Sequence, residues 1–541
     1  MRFKPRRVWM CGVVLATLAS CQCEKKDVAF SAMIPKDAIG VMTVKDLSKL
    51  LVNLDGMVKR FSTGPAATFI AQGKIQLAQQ IGFDPLSLPE WTKLGVNPEK
   101  GLAVAFHPTP TLLLAIKDAK LFEGEIQRVL KQQGLDQLTT SQHDGLTVTH
   151  LGVVQGGERV QYLIHGGYAL VTGPFGDGSA LSRLAKLPAE QSVQKATWFT
   201  ELSKRAPKTA DVLLLFDGAR MSQLLGLVAS APLTLTKEGG FIGLSLSPTG
   251  IILDSFLGSE KAKAQKNFEL TSTVPAAQLE RYLPGDTMLA FKLRLNPVKL
   301  LEIVFASQPE VKVSYQKAMD QAKAIVGGDI EKATLQNFTG NAVMGLGLTN
   351  LAQPISQLMK KAQSPKFDDA LRAHLWLQVK DGKALTKVVE QALTASKPNT
   401  PLRKSTVGSL SVLQFDSPEG VRVNLLWPLK QNDLLGVCLG ATCVEDAQGR
   451  FEEKKPDLSK QMSAEARKLF DEAGLLLGYL HVGRIVEKLE KLDAAAFGEG
   501  GMMVKLILDA AIGPLKNLKE LTTLVRLQPD GMVLQGDLRF Q

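Results

Sequence analysis

The stretch Leu114-Ala115-Ile116-Lys117-Asp118 recurs as Leu377-Gln378-Val379-Lys380-Asp381. Each is a run with strand character that ends on Lys-Asp, and a helical pattern follows each. In 119–133 the apolar positions include Leu121, Phe122, Ile126, Val129 and Leu130; in 382–396 they include Ala384, Leu385, Val388, Val389, Ala392 and Leu393. Those spacings give each helix one apolar stripe and therefore one buried face. The aspartate supplies an acceptor for the first-turn N–H groups, which have no partner inside a helix. Asp46, Asp217 and Asn296 follow other apolar runs in the same way, and Pro297 is a favoured first helical residue. All five polar residues read as helix caps and not as catalytic groups, because each stands where a helix start requires an acceptor.

Working outward, the same blocks recur in the same order along the chain. Ile34-Pro35-Lys36-Asp37-Ala38 matches Leu283-Pro284-Gly285-Asp286-Thr287, and Lys100-Gly101-Leu102-Ala103-Val104 matches Thr339-Gly340-Asn341-Ala342-Val343. A later strand and helix ending at Arg220 match a pair ending at Arg484. Each series closes on a hairpin, Leu244-Ser245-Leu246-Ser247-Pro248-Thr249-Gly250 beside Val525-Arg526-Leu527-Gln528-Pro529-Asp530-Gly531. Five matches in register order predict an internal duplication, with copies at 33–258 and 282–541 and a small, charged linker at 259–281. Short turns such as Gly166-Gly167 imply antiparallel neighbours. The expected fold is therefore α+β: two tandem similar domains, each a mainly antiparallel sheet with helices packed on one face. A length of 541 residues agrees, since single cores stop growing near ~250–300 residues.

The first twenty residues predict export. Arg2, Lys4, Arg6 and Arg7 form a basic start, and Val8 to Leu18 is apolar but too short to span about 30 Å of hydrocarbon. Residues 1–20 read as a signal peptide. Leu18-Ala19-Ser20-Cys21 resembles the bacterial lipobox, which makes Cys21 the lipid-bearing first residue of the mature chain and 21–32 a short tether. Two or three acyl chains hold a protein stably on a membrane. Gln22, where an aspartate would retain a lipoprotein at the inner membrane, implies delivery to the outer membrane of a Gram-negative bacterium. The formal charge is +11, and removing the four leader cations leaves +7 spread along the mature chain. Without basic blocks and interleaved aromatics, nucleic acid is not an expected partner.

The Pro35-x-x-Ala38 opening and the Lys117-Asp118 and Lys380-Asp381 strand ends resemble an uncharacterised family of secreted or lipid-anchored bacterial proteins, a domain of unknown function. The second copy departs from that pattern with Thr287 in place of Ala. The resemblance implies an envelope location and carries no activity or site residues.

The search for chemistry is brief. His107, His143, His150, His165, His374 and His481 show no metal-ligand spacing, so neither a metal nor a cofactor is expected. There is no Gly-x-Ser-x-Gly nucleophile elbow. Gly173 to Ser179 lacks the lysine of a phosphate-binding loop and reads as a tight strand-to-helix turn. Cys438 and Cys443 flank a strand-to-helix turn in an exported chain and are expected to form a disulfide if their Cα atoms come within about 7 Å. The functional expectation is a non-enzymatic envelope protein that is held on the membrane by its lipid and binds a protein partner. The alternative is a periplasmic carrier or sensor of a lipid or other apolar small molecule, lodged between sheet and helices.

Overall fold

The computed structural model describes residues 29–541, except 62–65, 108–109, 133–137, 152–159, 174–178, 225–234, 260–266, 276–277, 328–329, 350–370, 397–401, 417–421, 441 and 498–500. The leader, Cys21, most of the tether, most of the Gly173–Ser179 turn and part of the 259–281 linker lie outside the described residues.

The first half supplies strands β1 (Gly40–Val44), β2 (Leu102–Phe106), β3 (Thr111–Ala115), β4 (Leu138–His143), β5 (Leu146–Leu151), β6 (Val160–His165), β7 (Tyr168–Thr172), β8 (Val212–Phe216), β9 (Leu235–Ser247) and β10 (Gly250–Ser259). The second half supplies β11 (Leu289–Arg294), β12 (Phe338–Leu348), β13 (Leu371–Val379), β14 (Arg403–Val407), β15 (Leu410–Asp416), β16 (Arg422–Pro428), β17 (Leu434–Leu439), β18 (Leu476–Leu480), β19 (Leu518–Gln528) and β20 (Gly531–Phe540).

Antiparallel pairing joins the first set in the order β4-β5-β6-β7-β3-β2-β1. β8 lies on the free side of β1. The second set runs β14-β15-β16-β17-β13-β12-β11-β18-β19-β20, again antiparallel. The two orders agree strand for strand as far as β8 and β18. Hairpin β9–β10 corresponds to hairpin β19–β20. The Asp211 N–H, just before β8, donates to Leu244 O in β9 at 2.8 Å; the Leu475 N–H, just before β18, donates to Val525 O in β19 at 2.8 Å. The last strands of the two halves also pair with each other. β10 runs antiparallel to β20 from Gly250 opposite Arg539 to Gly258 opposite Gly531, with Asp254 facing Gln535. The result is a large mixed α+β fold with an extensive antiparallel sheet and helices packed on its face.

Two compact units divide the described residues. One comprises residues up to 49, 78–204 and 214–217; the other comprises 50–77, 205–213 and 218–541. β9 and β10, which the sequence reading gives to the first copy, thus belong to the second unit, where β10 is held by β20. In the first unit Leu94, Val96, Leu114, Phe122, Tyr162 and Ala169 form a buried cluster. In the second, Trp376, Tyr479, Phe470, Leu283, Leu410 and Leu477 anchor a larger one. Strand spacing is set by fit: Gly436 faces Trp376 across β13–β17, and a Cβ there would lie 2.5 Å from the indole ring.

Several of the matched sequence blocks make matching contacts. The Val193 N–H donates to Ile34 O at 2.7 Å, and the Leu458 N–H donates to Leu283 O at 3.1 Å; Ile34 and Leu283 are both fully buried. Leu458–Lys460 is a short 3-10 helix. Gly101 and Gly340 take positive φ (68° and 94°), and a Cβ on either would collide with the carbonyl oxygen of Val44 or Leu295 at the end of the neighbouring strand.

Candidate functional site

Each sequence-predicted cap lies between a strand and a helix. Asp118 Oδ1 accepts the N–H groups of Lys120 (2.9 Å) and Leu121 (3.0 Å). Asp46 Oδ1 accepts from Lys49 at 2.9 Å, Asn296 Oδ1 from Lys299 at 3.1 Å, and Asp381 Oδ1 from Ala384 at 3.0 Å. The Ala384 N–H and the Asn432 side-chain amide hold the Asp381 carboxyl below its ordinary range. Asp217 is buried ahead of the helix Gly218–Leu224, and its N–H donates to Ile39 O at 2.8 Å. His481 holds the corresponding place before Val482–Glu490. Its N–H donates to Met288 O at 2.7 Å, and its Nδ1 accepts from the Arg484 N–H at 3.2 Å. Sequence reasoning missed this cap because histidine is outside the usual capping set. The match of Arg220 to Arg484 is the sequence signal that points to this position.

Cys438 and Cys443 form a disulfide with Cα atoms 5.8 Å apart, joining the end of β17 to the helix Cys443–Phe451. A dense charge network borders it. Arg372 Nη1 donates to Asp446 Oδ2 at 2.6 Å, Arg372 also bonds Asp286, and Lys455 Nζ meets Asp446 Oδ1 at 2.8 Å. These cations hold the Asp446 carboxyl below its ordinary range against the opposing effect of burial. His374 lies opposite Cys438 in the β13–β17 register and is 2% exposed, with neither ring nitrogen hydrogen-bonded. Burial pulls its pKa down to about 4, so the ring is neutral at pH 7. Deeper in the same unit, Lys292 pairs with Glu280 at 3.1 Å and the Tyr479 hydroxyl donates to Glu520 Oε2 at 3.0 Å. The first ties β11 to the 3-10 helix Leu279–Tyr282 and the second ties β18 to β19, where Glu520 Oε1 is buried without a hydrogen bond.

A second polar cluster lies on the β4–β5 hairpin, whose turn uses Asp144 and Gly145 at positive φ. Ser141 Oγ lies 2.8 Å from His150 Nε2 and 3.0 Å from His143 Nε2. Nothing in their sequence spacing pairs these two histidines. Pairing needs the hairpin register, which puts Thr139 opposite His150 and Ser141 one diagonal away.

The surface is informative at the helix Gly501–Ile512. Met502, Met503, Leu506 and Ile507 are 82%, 69%, 72% and 63% exposed. Their spacing, i, i+1, i+4 and i+5, puts them on one face. The charged residue is turned the other way: Lys505 reaches in to Leu489 O (3.5 Å) and Glu490 O (2.8 Å) and pairs with Asp509 at 2.9 Å. The ammonium thereby satisfies carbonyls at the C-terminal end of Val482–Glu490, which favours a cation. An amphipathic helix ordinarily buries its apolar stripe. This helix, Gly501–Ile512, is apolar on most of its surface, and with Lys505 held against the neighbouring carbonyls these four side chains are left facing out. Among the described residues no cluster of three or more His, Cys, Asp or Glu is arranged to hold a metal ion, and no helix is long and apolar enough to cross a membrane.

No family model, no curated protein and no solved structure matches this chain.

Proposed function

We propose that the chain is an exported, lipid-anchored protein of the bacterial cell envelope, built as two tandem α+β copies, with a non-enzymatic role in binding a protein partner. The observation that carries this reading is the outward apolar face of the 501–512 helix. Four large side chains in water are an exception on a monomer surface when they form one contiguous patch. A stripe of two methionines beside Leu506 and Ile507 suits a partner that receives a helix in an apolar groove, because methionine adapts its shape to the wall it meets. Cys21 would keep the protein at the membrane while the helix engages its partner.

The test places a photo-crosslinking amino acid at position 503 in cells and asks for a reproducible adduct. Leu506→Glu should abolish that adduct and leave the thermal midpoint unchanged, because residue 506 is largely exposed. Recovery of abundant bystanders alone, unaffected by Leu506→Glu, would overturn the reading. Cys21→Ala should separately abolish palmitate labelling and release the protein from the membrane fraction. The alternative role, carriage of an apolar small molecule, requires bound cargo that native mass spectrometry would detect.

A further inference from the structure

The second unit contains a cavity of about 550 Å³. It is bounded by the turn at Ser409, the β16–β17 turn, the 3-10 helix Leu279–Tyr282, and the chain between the helices Cys443–Phe451 and Ala464–Asp471. Six cations line it: Arg281, Lys430, Arg450, Lys455, Lys460 and Arg467. Three carboxylates do so as well, Glu452, Glu453 and Asp457.

The partners of these groups decide what the cavity lacks. Lys455 is committed to Asp446, and Lys460 and Arg467 have loose pairs with Asp457 (3.8 Å) and Asp471 (3.9 Å). On the acidic side, Glu452 is occupied by Gln448 and Lys454, Asp457 accepts from the Lys460 N–H and the Ser459 hydroxyl, and Glu453 alone of the three has no side-chain partner among the described residues, one carboxylate against the cations left unpaired. Among the described residues no carboxylate pairs with Arg281, Lys430 or Arg450. Arg281 donates to the Tyr282 hydroxyl at 2.6 Å and lies over that ring, and Arg450 donates to the Pro456 carbonyl.

Arg450 is the telling residue. It is only 9% exposed, its Nε has no hydrogen-bond partner, and burial pulls its pKa below that of an ordinary arginine. The Ser409 hydroxyl, also on the wall, is shielded from water and has no partner either. Burial outweighs the attraction of Asp446, Asp286 and Asp457, none of which pairs with this guanidinium, so an anion in direct contact would complete it. Guanidinium groups match phosphate oxygens in bidentate fashion, and a cavity of this size admits several heavy atoms beyond one oxyanion.

We infer that this cavity is a binding site for a ligand carrying two or more phosphate charges, held by Arg281, Lys430 and Arg450. Such charge occurs on a soluble phosphate compound and on a phosphomonoester lipid headgroup, and the same three cations would serve either. The site is separate from the 501–512 helix and does not depend on its role.

Calorimetric titration of full-length protein with pyrophosphate tests the soluble source. Co-sedimentation with phosphatidylcholine vesicles with and without phosphatidic acid tests the headgroup. Saturable binding in either arm is expected, weakened by added salt. The double variant Arg281→Gln/Lys430→Gln removes two exposed side chains and keeps the fold. It should lose affinity by about tenfold or more, as expected for charge-assisted contacts to phosphate. Arg450→Gln should lose as much; if it fails to fold, the double variant alone decides. Pyrophosphate binding assigns a soluble ligand, and phosphatidic acid-dependent sedimentation alone assigns a headgroup. No binding in either arm, or binding unchanged in the folded double variant, overturns the inference.

Discussion

His374 and Thr111 stand at the same place in corresponding strands, two residues from Trp376 and Leu113 in β13 and β3. In the first half Thr111 faces Thr172; in the second His374 faces Cys438. The histidine half carries a titratable group with no hydrogen bond, and this gives stability a pH dependence. The folded-state pKa is about 4 against an ordinary 6.5, because burial disfavours the charged ring. As pH falls through 6.5, the unfolded chain takes up a proton that the folded ring refuses, so stability declines from about pH 6.5 toward 4. His481, also held near 4 by burial, adds to the same window. His374→Leu should flatten part of that decline and leave the remainder to His481, as followed by denaturant melts at pH 4.5, 5.5 and 7. An unaltered pH profile in a folded variant would show that the ring is not the source. None of this was legible in the sequence, where His374 is one polar residue in a strand. Its burial follows from the cross-strand neighbour and from the helix above, both far away along the chain.

At the scale of elements, the Lys-Asp strand ends gave the clearest reading. An acceptor at a helix start is a local requirement, and local requirements leave local signatures. Replacing Asp118 or Asp381 by Ala should lower stability by about 1 kcal/mol in each case, within the usual range for a lost cap. Asp381 has a further dependence, on pH. Its carboxyl is held low by the Ala384 N–H and the Asn432 amide, so its contribution is present above the ordinary aspartate pKa and is lost as pH falls through the depressed value. Thermal melts of both variants at neutral and acid pH check this, with a partner-crosslinking assay alongside. Unchanged melting with lost binding would mean a functional carboxylate. The 501–512 helix shows the opposite case. Which part of its apolar surface faces out is not written in the sequence. That direction is set by Lys505 finding the Leu489 and Glu490 carbonyls of another helix.

For the whole molecule, the order of strands was legible only as a repeat of blocks, because the sequence shows succession and the sheet shows adjacency. The division into compact units was not legible, since it turns on one long-range pairing, β10 with β20. That pairing predicts the behaviour of a separated copy. A fragment 282–541 presents the edge of β20 without its neighbour, and an unpaired edge recruits another strand. It should sediment as a dimer when folded, and Gln535→Pro should return it to a monomer, since proline is poorly tolerated inside a paired strand. A folded monomer for 282–541 would refute this. The register says why a dimer is expected. Counted from the matched glycines Gly250 and Gly531, Asp254 and Gln535 are the same position of the two copies, and they face each other. Gly250 lies opposite Arg539 and Gly531 opposite Gly258, so exchanging the copies reproduces the register. That is the self-complementarity of a two-fold axis between identical subunits. This is the register that joining the two subunits of a homodimer into one polypeptide would leave. Two aspartates on that axis would repel, whereas Gln535 Nε2 donates to Asp254 Oδ1 at 2.7 Å, so unlike side chains at the equivalent positions turn a repulsive contact into a charge-assisted bond.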